Sequence, residues 1–530
     1  MPPNSGQITL PESKKSLESR LSYLSLWFDW RISTTRSLKC RRRWTNLREK
    51  RDRLADYVAA HRALLSPIRR MPLDIIREIF LTCLPTDRNC VMSASEAPIL
   101  LGRVCSLWRA ISHSTPSLWA RLHVALPRVQ VPFTSVTPPV LQKKLVQRIE
   151  TTRTWLGRTG QCPLSISVDC GCISPPIPHP LLQALLPFAS QWCDIRLAIS
   201  RSAFETLRHL TAADVPLLKT LKIKLSSNAL RRLDWKQFGI LDAPRISNFD
   251  IWGPGPEFNA QELPLRWSQL TALCLAQLSL DSPMTADAIL QLISQCPGLR
   301  ELKLCVPLDA VSEMHGRMIK CAFLQLLHLH CWNTGSHFVL LEHLLLPDLR
   351  TLILTGELQE NVDAVSTAYF FADSPRLENV HIDRITFSKP ALLDILRVLP
   401  PTTQSLEVLS PEYQSSWDDS TESHFDDEVL AALTPSLGNP APCCPALRAL
   451  AIERCNRVSD EAVLRFVAAR AAAGPGPYST LKRVQMRFRR QMQVEDMRAD
   501  LRPYVEAGLD ITITHLPRSF SPWQGLAALA

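Results

Sequence analysis

The chain has 530 residues, enough for two to four domains of ordinary size or for one long repeat array. Hydrophobic residues make up 46% and charged residues 21%, the balance of a folded protein, so global disorder is excluded. Glycine is scarce at 17 positions and proline abundant at 41, which leaves little material for glycine-rich phosphate loops.

The formal net charge is +10, and it is localised. Residues 1–70 hold 16 Lys and Arg against 6 Asp and Glu, and the remainder carries 44 of each. A neutral body with a basic head argues against nucleic-acid binding by the protein as a whole. The 16 cysteines fall far below the density of a disulfide scaffold. Several sit in apolar runs, such as Cys274 in Leu273-Cys274-Leu275 and Cys305 after Leu304, where a thiol behaves as a small buried hydrophobe. No secretory-leader pattern opens the chain, and no uncharged apolar stretch reaches the roughly 18–20 residues that span a bilayer. These features predict a reducing compartment, cytoplasmic or nuclear, and no membrane partner.

In chain order, residues 1–43 read as a basic, irregular tail. Its run Lys39-Cys40-Arg41-Arg42-Arg43 is a solvated segment or, alternatively, a nuclear-localisation or anion-binding patch. Residues 44–66 predict an amphipathic helix, with Leu47, Leu54, Val58 and Leu65 near heptad spacing. Pro67 ends it. Residues 67–121 predict a small all-helical unit. Leu73, Ile76, Ile79, Phe80 and Leu84 form one helical stripe, with Pro72 in a position that a first turn tolerates. Leu100, Leu101, Val104, Leu107, Trp108 and Ile111 form a second, and Pro116, Leu118 and Trp119 a short third turn. The stretch 85–97 reads as a polar loop, and 122–159 as a linker with a helix.

From residue 160 to 515 the chain repeats, leaving a tail at 516–530. The unit is L-x-x-L-x-L, commonly two residues after a proline. Its anchors are Leu218, Ile246, Leu270, Leu299, Leu324, Leu349, Leu377, Leu406, Leu447 and Leu481. They are spaced by 24 to 29 residues, then by 41 and 34, and Leu164 and Trp192 extend the series upstream. This is the period of a leucine-rich repeat. The L-x-L piece alternates like a strand, and intervening stretches such as Met284–Cys296 and Leu392–Leu399 have helical spacing. The usual Asn or Cys of the repeat is mostly missing, so the repeats are irregular. The predicted fold is an α/β solenoid of parallel strands and helices, preceded by the small helical unit and the N-terminal helix. Strand parity places Arg196, Lys222, Lys224, Asp250, Trp252, Lys303, His328, His330, His381, Asp383, Glu453 and Arg487 on the open inner surface.

Residues 71–119 resemble an F-box. The matching residues are Met71-Pro72-Leu73-Asp74-Ile75-Ile76-Arg77-Glu78-Ile79-Phe80, then Leu84-Pro85, Val104-Cys105-Ser106-Leu107-Trp108-Arg109 and Leu118-Trp119. Met71 and Asp74 stand where the family has Leu and Glu, and the loop 86–98 is long. Joined to leucine-rich repeats, the chain is similar to fungal F-box/leucine-rich-repeat proteins. The resemblance implies a substrate receptor of a cullin–RING ubiquitin ligase that docks the S-phase-kinase-associated adaptor. The adaptor surface it implies comprises Pro72, Ile75, Ile76, Ile79, Phe80, Val104, Cys105, Trp108, Leu118 and Trp119. The expected surface for a protein substrate centres on Lys222, Lys224, Trp252, Lys303, His328, His330, His381 and Arg487.

Catalytic signatures are missing: no phosphate-binding G-x-x-x-x-G-K-[ST], no H-E-x-x-H, no G-x-S-x-G and no kinase set. Cys162, Cys170, Cys172 and His179 match no zinc-finger spacing. The acids from Asp418 to Glu428 read as a loop entering a helix with Ser423 as its N-cap. Cys105 reads as a packed thiol. The expectation is therefore a non-catalytic receptor with no cofactor and no metal. The alternatives are a repeat scaffold without a ligase role and, more weakly, nucleic-acid binding through the basic N-terminus.

Overall fold

The computed structural model describes residues 43–59, 61, 67–126, 139–170, 178–226, 233–253, 258–276, 284–305, 308–309, 318–331, 338–356, 370–383, 387–409, 424–436, 438–439, 441–471, 480–494 and 497–516. The basic run at 39–42, Leu65, Cys172, Ser423 and the C-terminal tail from 517 lie outside these residues. Two compact units meet at the Phe80–Leu81 bond. The division falls inside the stretch 67–121 that the sequence reads as one domain.

In residues 1–80, a helix over 43–59 (α1) matches the amphipathic segment. The next helix, α2 (Leu73–Thr82), begins where Pro72 offers its carbonyl to the Ile76 N–H. Ile76 and Phe80 lie four residues apart on one face and are buried, whereas Leu73 and Ile75 are exposed.

In residues 81–530, α3 (Leu101–Val104) and α4 (Ser106–His113) are separated by Cys105 in extended backbone. The Cys105 Sγ accepts the Trp108 N–H at 3.4 Å and so caps α4. Among the described residues, fourteen parallel strands then form one sheet in chain order. They are β1 (Arg121–Ala125), β2 (Leu164–Asp169), β3 (Trp192–Ser200), β4 (Thr220–Ser226), β5 (Asn248–Trp252), β6 (Ala272–Ala276) and β7 (Glu301–Cys305). The series continues with β8 (Leu326–Cys331), β9 (Thr351–Gly356), β10 (Asn379–Asp383), β11 (Ser405–Leu409), β12 (Ala449–Glu453), β13 (Arg483–Arg487) and β14 (Asp510–Thr514). The unit is an α/β solenoid, as the repeat spacing predicts.

The first strand precedes residue 160. Trp155, on α5 (Pro139–Leu156), packs edge-on against Trp119 at 4.8 Å, and its Nε1–H donates to the Trp119 carbonyl at 2.8 Å. Residues 121–156 therefore supply a strand and helix of the array, where the sequence reads a linker with a helix and starts the array only at residue 160. The polar loop before them also has a structural role. The His123 N–H donates to the Cys90 carbonyl, Arg121 donates to the carbonyls of Pro85 and Arg88, and Asn89 Nδ2 donates to Ser167 Oγ. The loop thus satisfies the edge of β1, where exposed ladder groups would invite pairing with another chain.

Register explains the L-x-L pattern. Leu221, Phe249, Leu273, Leu302, Leu327 and Leu352 are direct neighbours across successive strands, as are Ile223, Ile251, Leu275, Leu304, Leu329 and Leu354. Both rows are buried. Each unit covers its neighbour's apolar row, which is why stacking is obligatory.

The proline that commonly precedes a repeat has a mechanism. Turns open at Val215, Ala243, Cys296, Leu346, Ser374 and Cys444, each accepting the N–H of the residue three ahead. Proline is second in every one: Pro216, Pro244, Pro297, Pro347, Pro375 and Pro445. Its fixed φ suits that turn position, and its missing N–H costs nothing there. The opening residue is buried, so Cys296 and Cys444 serve as small apolar plugs. Burial pushes both thiols up to about 12.

The missing asparagine ladder is replaced by backbone. The carbonyls of Lys219, Ser247, Thr271, Arg300, Gln325, Arg350, Glu378, Gln404 and Arg448 each accept two N–H groups from the next repeat. This ladder corrects one anchor. Leu406 pairs with Val380 and Leu450 in the inner row. The turn position of that repeat belongs to Thr403, which is fully buried.

Strand plus helix is not universal. Between β3 and β6 the described connections are mainly short 3₁₀ turns, such as Glu205–His209, Trp235–Gln237 and Trp267–Gln269. Aromatic bulk fills the space there: Phe204 stacks on Phe238 at 4.5 Å, and Trp235 meets Phe258 at 5.7 Å. Helices return at Ala286–Ser294, after a two-residue strand at Met284–Thr285, and at Lys389–Val398. In the helix Asp427–Ala432 the N-cap is Asp426, whose Oδ1 accepts the N–H groups of Glu428 and Val429. Ser423 is therefore not the cap. No helix among the described residues is long and apolar enough to cross a membrane.

Candidate functional site

The alternate positions of each strand form polar rows on the face opposite the buried ones. The central row runs His123, Ser167, Arg196, Lys222, Asp250, Cys274, Lys303 and His328, continuing through Ile353 to His381 and Glu407. A parallel row pairs Lys224 with Trp252, and farther along Glu453 with Arg487. Parity thus places most of the sequence-selected residues on one exposed face, arranged in chemically distinct zones; Asp383, expected on that open surface, is instead buried at 1% exposure.

The first zone, over β2–β5, is a shallow depression of about 220 Å³ lined by Ser167, Asp169, Arg196, Lys222, Lys224, Asp250 and Trp252. Arg196 is committed: its Nε and Nη2 donate to both carboxylate oxygens of Asp194, at 3.1 and 2.9 Å. Lys222 Nζ lies 3.6 Å from Asp250 Oδ2. Lys224 is exposed and has no ion pair among the described residues. Trp252 is half-buried and pairs in register with Lys224. Gly253 follows at φ +65, where an added Cβ would lie 2.6 Å from the Leu225 carbonyl oxygen. Only glycine lets the chain leave the sheet at that point.

Next along the face, Cys274 and Cys305 are buried, and burial raises both thiols, that of Cys305 to about 12. They are inert packing thiols. Beyond them lies a histidine zone. Thr355 Oγ1 is 3.0 Å from His328 Nε2 and 3.1 Å from His330 Nδ1. His381 Nδ1 is 3.5 Å from Glu407 Oε2. Burial first, then Lys303, His330 and His381, hold His328 down to about 4. His328 is therefore neutral at neutral pH. Its folded pKa lies below the unfolded value of about 6.5, so its stabilising contribution is complete above pH 6.5 and declines as pH falls toward 4. Thermal melts across that range should show this decline, and His328→Gln should flatten it. An unchanged slope in the variant would assign the decline to another group. At the far end, Arg487 Nη1 donates to Glu453 Oε1 at 3.0 Å.

The adaptor-surface residues divide by burial. Leu118 and Trp119 are core, as are Ile76 and Phe80; Trp119 Nε1–H is spent on the Ser112 carbonyl at 2.9 Å. These four side chains are not presented to a partner. Pro72 and Ile75 are exposed in residues 1–80, where Ile79 is half-buried. In residues 81–530, Val104 is 57% exposed, while Cys105 and Trp108 are half-buried. Exposed Leu100, just before α3, and exposed Leu107, in the first turn of α4, flank Val104; Leu107 belongs to the matching motif but was not among the expected adaptor contacts, and neither was Leu100. Asp194, Thr355 and Glu407, which organise the sheet face, share the strand parity that selected their neighbours.

Among the described residues, no group of three or more His, Cys, Asp or Glu side chains is placed to hold a metal ion. Cys170 is buried, and burial raises its thiol to about 12.

No protein-family model matches the chain, and no curated protein matches it. Among solved structures, it is similar to a chain of the Rad7 and Elc1 complex from yeast, with 16% identity and a TM-score of 0.36. That match covers 71% of this chain and 88% of the other. It is also similar to a chain of the TLR13–ssRNA13 complex, with 11% identity and a TM-score of 0.19, covering 68% of this chain and 64% of that one. At these TM-scores neither likeness carries an inference about this chain.

Proposed function

We propose that the protein is a non-catalytic substrate receptor of an SCF-type cullin–RING ubiquitin ligase. In this reading the F-box-like stretch docks the S-phase-kinase-associated adaptor, and the open face of the sheet holds a protein substrate. The observation that carries the reading is the exposure of Leu100, Val104 and Leu107, at 44, 57 and 46%, within that stretch. Three large apolar side chains on one short segment suit burial against a partner. The chain's contribution is positional: holding a substrate lysine near the ubiquitin carrier raises its effective concentration. The reading places the complex in the cytoplasm or nucleus and requires no cofactor, metal, membrane or nucleic acid.

The test is adaptor binding by the full chain, measured by calorimetry. Val104→Asp or Leu107→Asp should each weaken it by about tenfold or more, the effect of losing one interface anchor. Both positions are exposed, so the variants keep the fold. No binding by the wild-type chain would leave a repeat scaffold without a ligase role. On the sheet face, Trp252→Ala combined with Lys303→Glu should lower substrate capture while leaving adaptor affinity intact.

A further inference from the structure

The helix α1 carries a surface that the ligase reading does not use. Trp44, Leu47, Leu54 and Val58 are 70, 58, 65 and 45% exposed. With Arg51 and His61 they fall at positions 44, 47, 51, 54, 58 and 61, steps that alternate between three and four. That spacing is a narrow a/d stripe, the seam of a coiled coil, rather than the broad apolar face that beds into a core.

Charge around the seam identifies what fits it. The positions flanking the stripe hold Arg43, Arg48 and Lys50, with neutral Ala55 and Tyr57 farther along. Arg51 lies in the seam itself. The acids Glu49, Asp52 and Asp56 all fall on the far side of the helix. Two copies packed seam to seam would set basic flank against basic flank, and such pairs repel. A helix with acidic flanks meets complementary charge at Arg43, Arg48 and Lys50 and no like charge at Ala55 and Tyr57. Arg51 is paired to Asp52, but both side chains are more than half exposed, so that pair is weak and readily exchanged for a partner carboxylate.

We infer that α1 is a docking helix for an acidic amphipathic helix of another protein, packed against it as a two-stranded coiled coil. The seam is short, so the expected affinity is micromolar. Salt weakens it, because the flanking pairs are exposed.

The experiment titrates the full chain with designed peptides of about four heptads. One peptide has a Leu/Ile seam flanked throughout by Glu, the other the same seam flanked by Lys. The Glu-flanked peptide should bind and the Lys-flanked one should not. Leu54→Asp should weaken the Glu-flanked peptide by about tenfold or more. Arg48→Glu with Lys50→Glu should transfer the preference to the Lys-flanked peptide. Equal binding of the two peptides, or binding indifferent to Leu54→Asp, overturns the proposal. So does a dimer of the full chain in sedimentation that Leu54→Asp abolishes, which would make a second copy the occupant. Binding to phosphatidylserine vesicles that the same variant abolishes, without peptide selectivity, would assign a membrane surface instead.

Discussion

Arg470→Ala is expected to destabilise the C-terminal repeats by about 3 kcal/mol or more. Arg470 is fully buried on the helix Asp460–Ala471. Its Nε and Nη2 donate to the Leu433 carbonyl at 2.9 and 2.7 Å, Nη2 also to Cys443 and Cys444, and Nη1 to Pro445. One planar guanidinium thus satisfies four carbonyls around a turn in which Cys444 adopts φ +52, a strained conformation for a residue with a Cβ. Alanine removes all of these donors, leaving only the Leu447 N–H on the Cys444 carbonyl, and opens a cavity. Lysine has no planar fork and should rescue only part of the loss. Methionine separates two effects: it keeps the volume and removes both the charge and the donors. A methionine variant as stable as wild type in urea unfolding would show that burying the guanidinium costs as much as its hydrogen bonds return.

A loss of similar size, about 3 kcal/mol, is expected for Asp460→Asn. Asp460 has no exposed surface. Its Oδ1 accepts from Arg490 Nη2 at 2.6 Å and lies 3.2 Å from His515 Nε2, while Oδ2 accepts the N–H groups of Gln493 and Val494. Phe488 supports both partners: His515 stacks on its ring at 4.5 Å and Arg490 lies over it at 4.3 Å. Burial pushes the Asp460 carboxyl up, but Arg490, the two backbone donors and His515 together outweigh it and hold the group below the usual carboxylate range. The sign follows from linkage. With the folded pKa depressed, the carboxylate stabilises the fold above its unfolded value of 3.8, and that stability is lost as pH falls through the folded value. Asparagine should therefore lower the melting temperature at neutral pH and flatten the acid limb below about pH 4. A full-sized acid limb in the variant would place that limb in other carboxylates.

Much of the array was legible because its physics is periodic. A strand residue points in or out by parity, and a turn that opens with X-Pro-x-Leu repeats the same backbone need. Leu221, Lys222, Ile223 and Lys224 could therefore be assigned faces from spacing alone, and register confirms those faces. Where the pattern was broken by substitution it misled. At Thr403 a buried hydroxyl replaces the expected apolar anchor, so the apparent repeat shifted by three residues to Leu406. At β1, the segment Arg121–Ala125 lacks an upstream repeat to set its period, and its membership in the sheet shows only through pairing with β2.

The F-box-like stretch was legible as residue types in order, but its surface was not. A helix with apolar residues on two sides does not say which side faces inward. Trp108 and Trp119 are equally plausible anchors in sequence, yet Trp155, far along the chain, takes Trp119 into the core and leaves Trp108 half-buried. The charge state of His328 likewise depends first on burial and then on Lys303, His330 and His381, which stand on β7, β8 and β10. Short-range periods in the sequence carry the stacked parallel strands, most of the outward residues (Asp383, which is buried, excepted) and the heptad spacing of α1. Only the tertiary structure decided which apolar side chains remain exposed, which charges are already paired and which thiols are buried, because burial and pairing are set by neighbours distant in the chain.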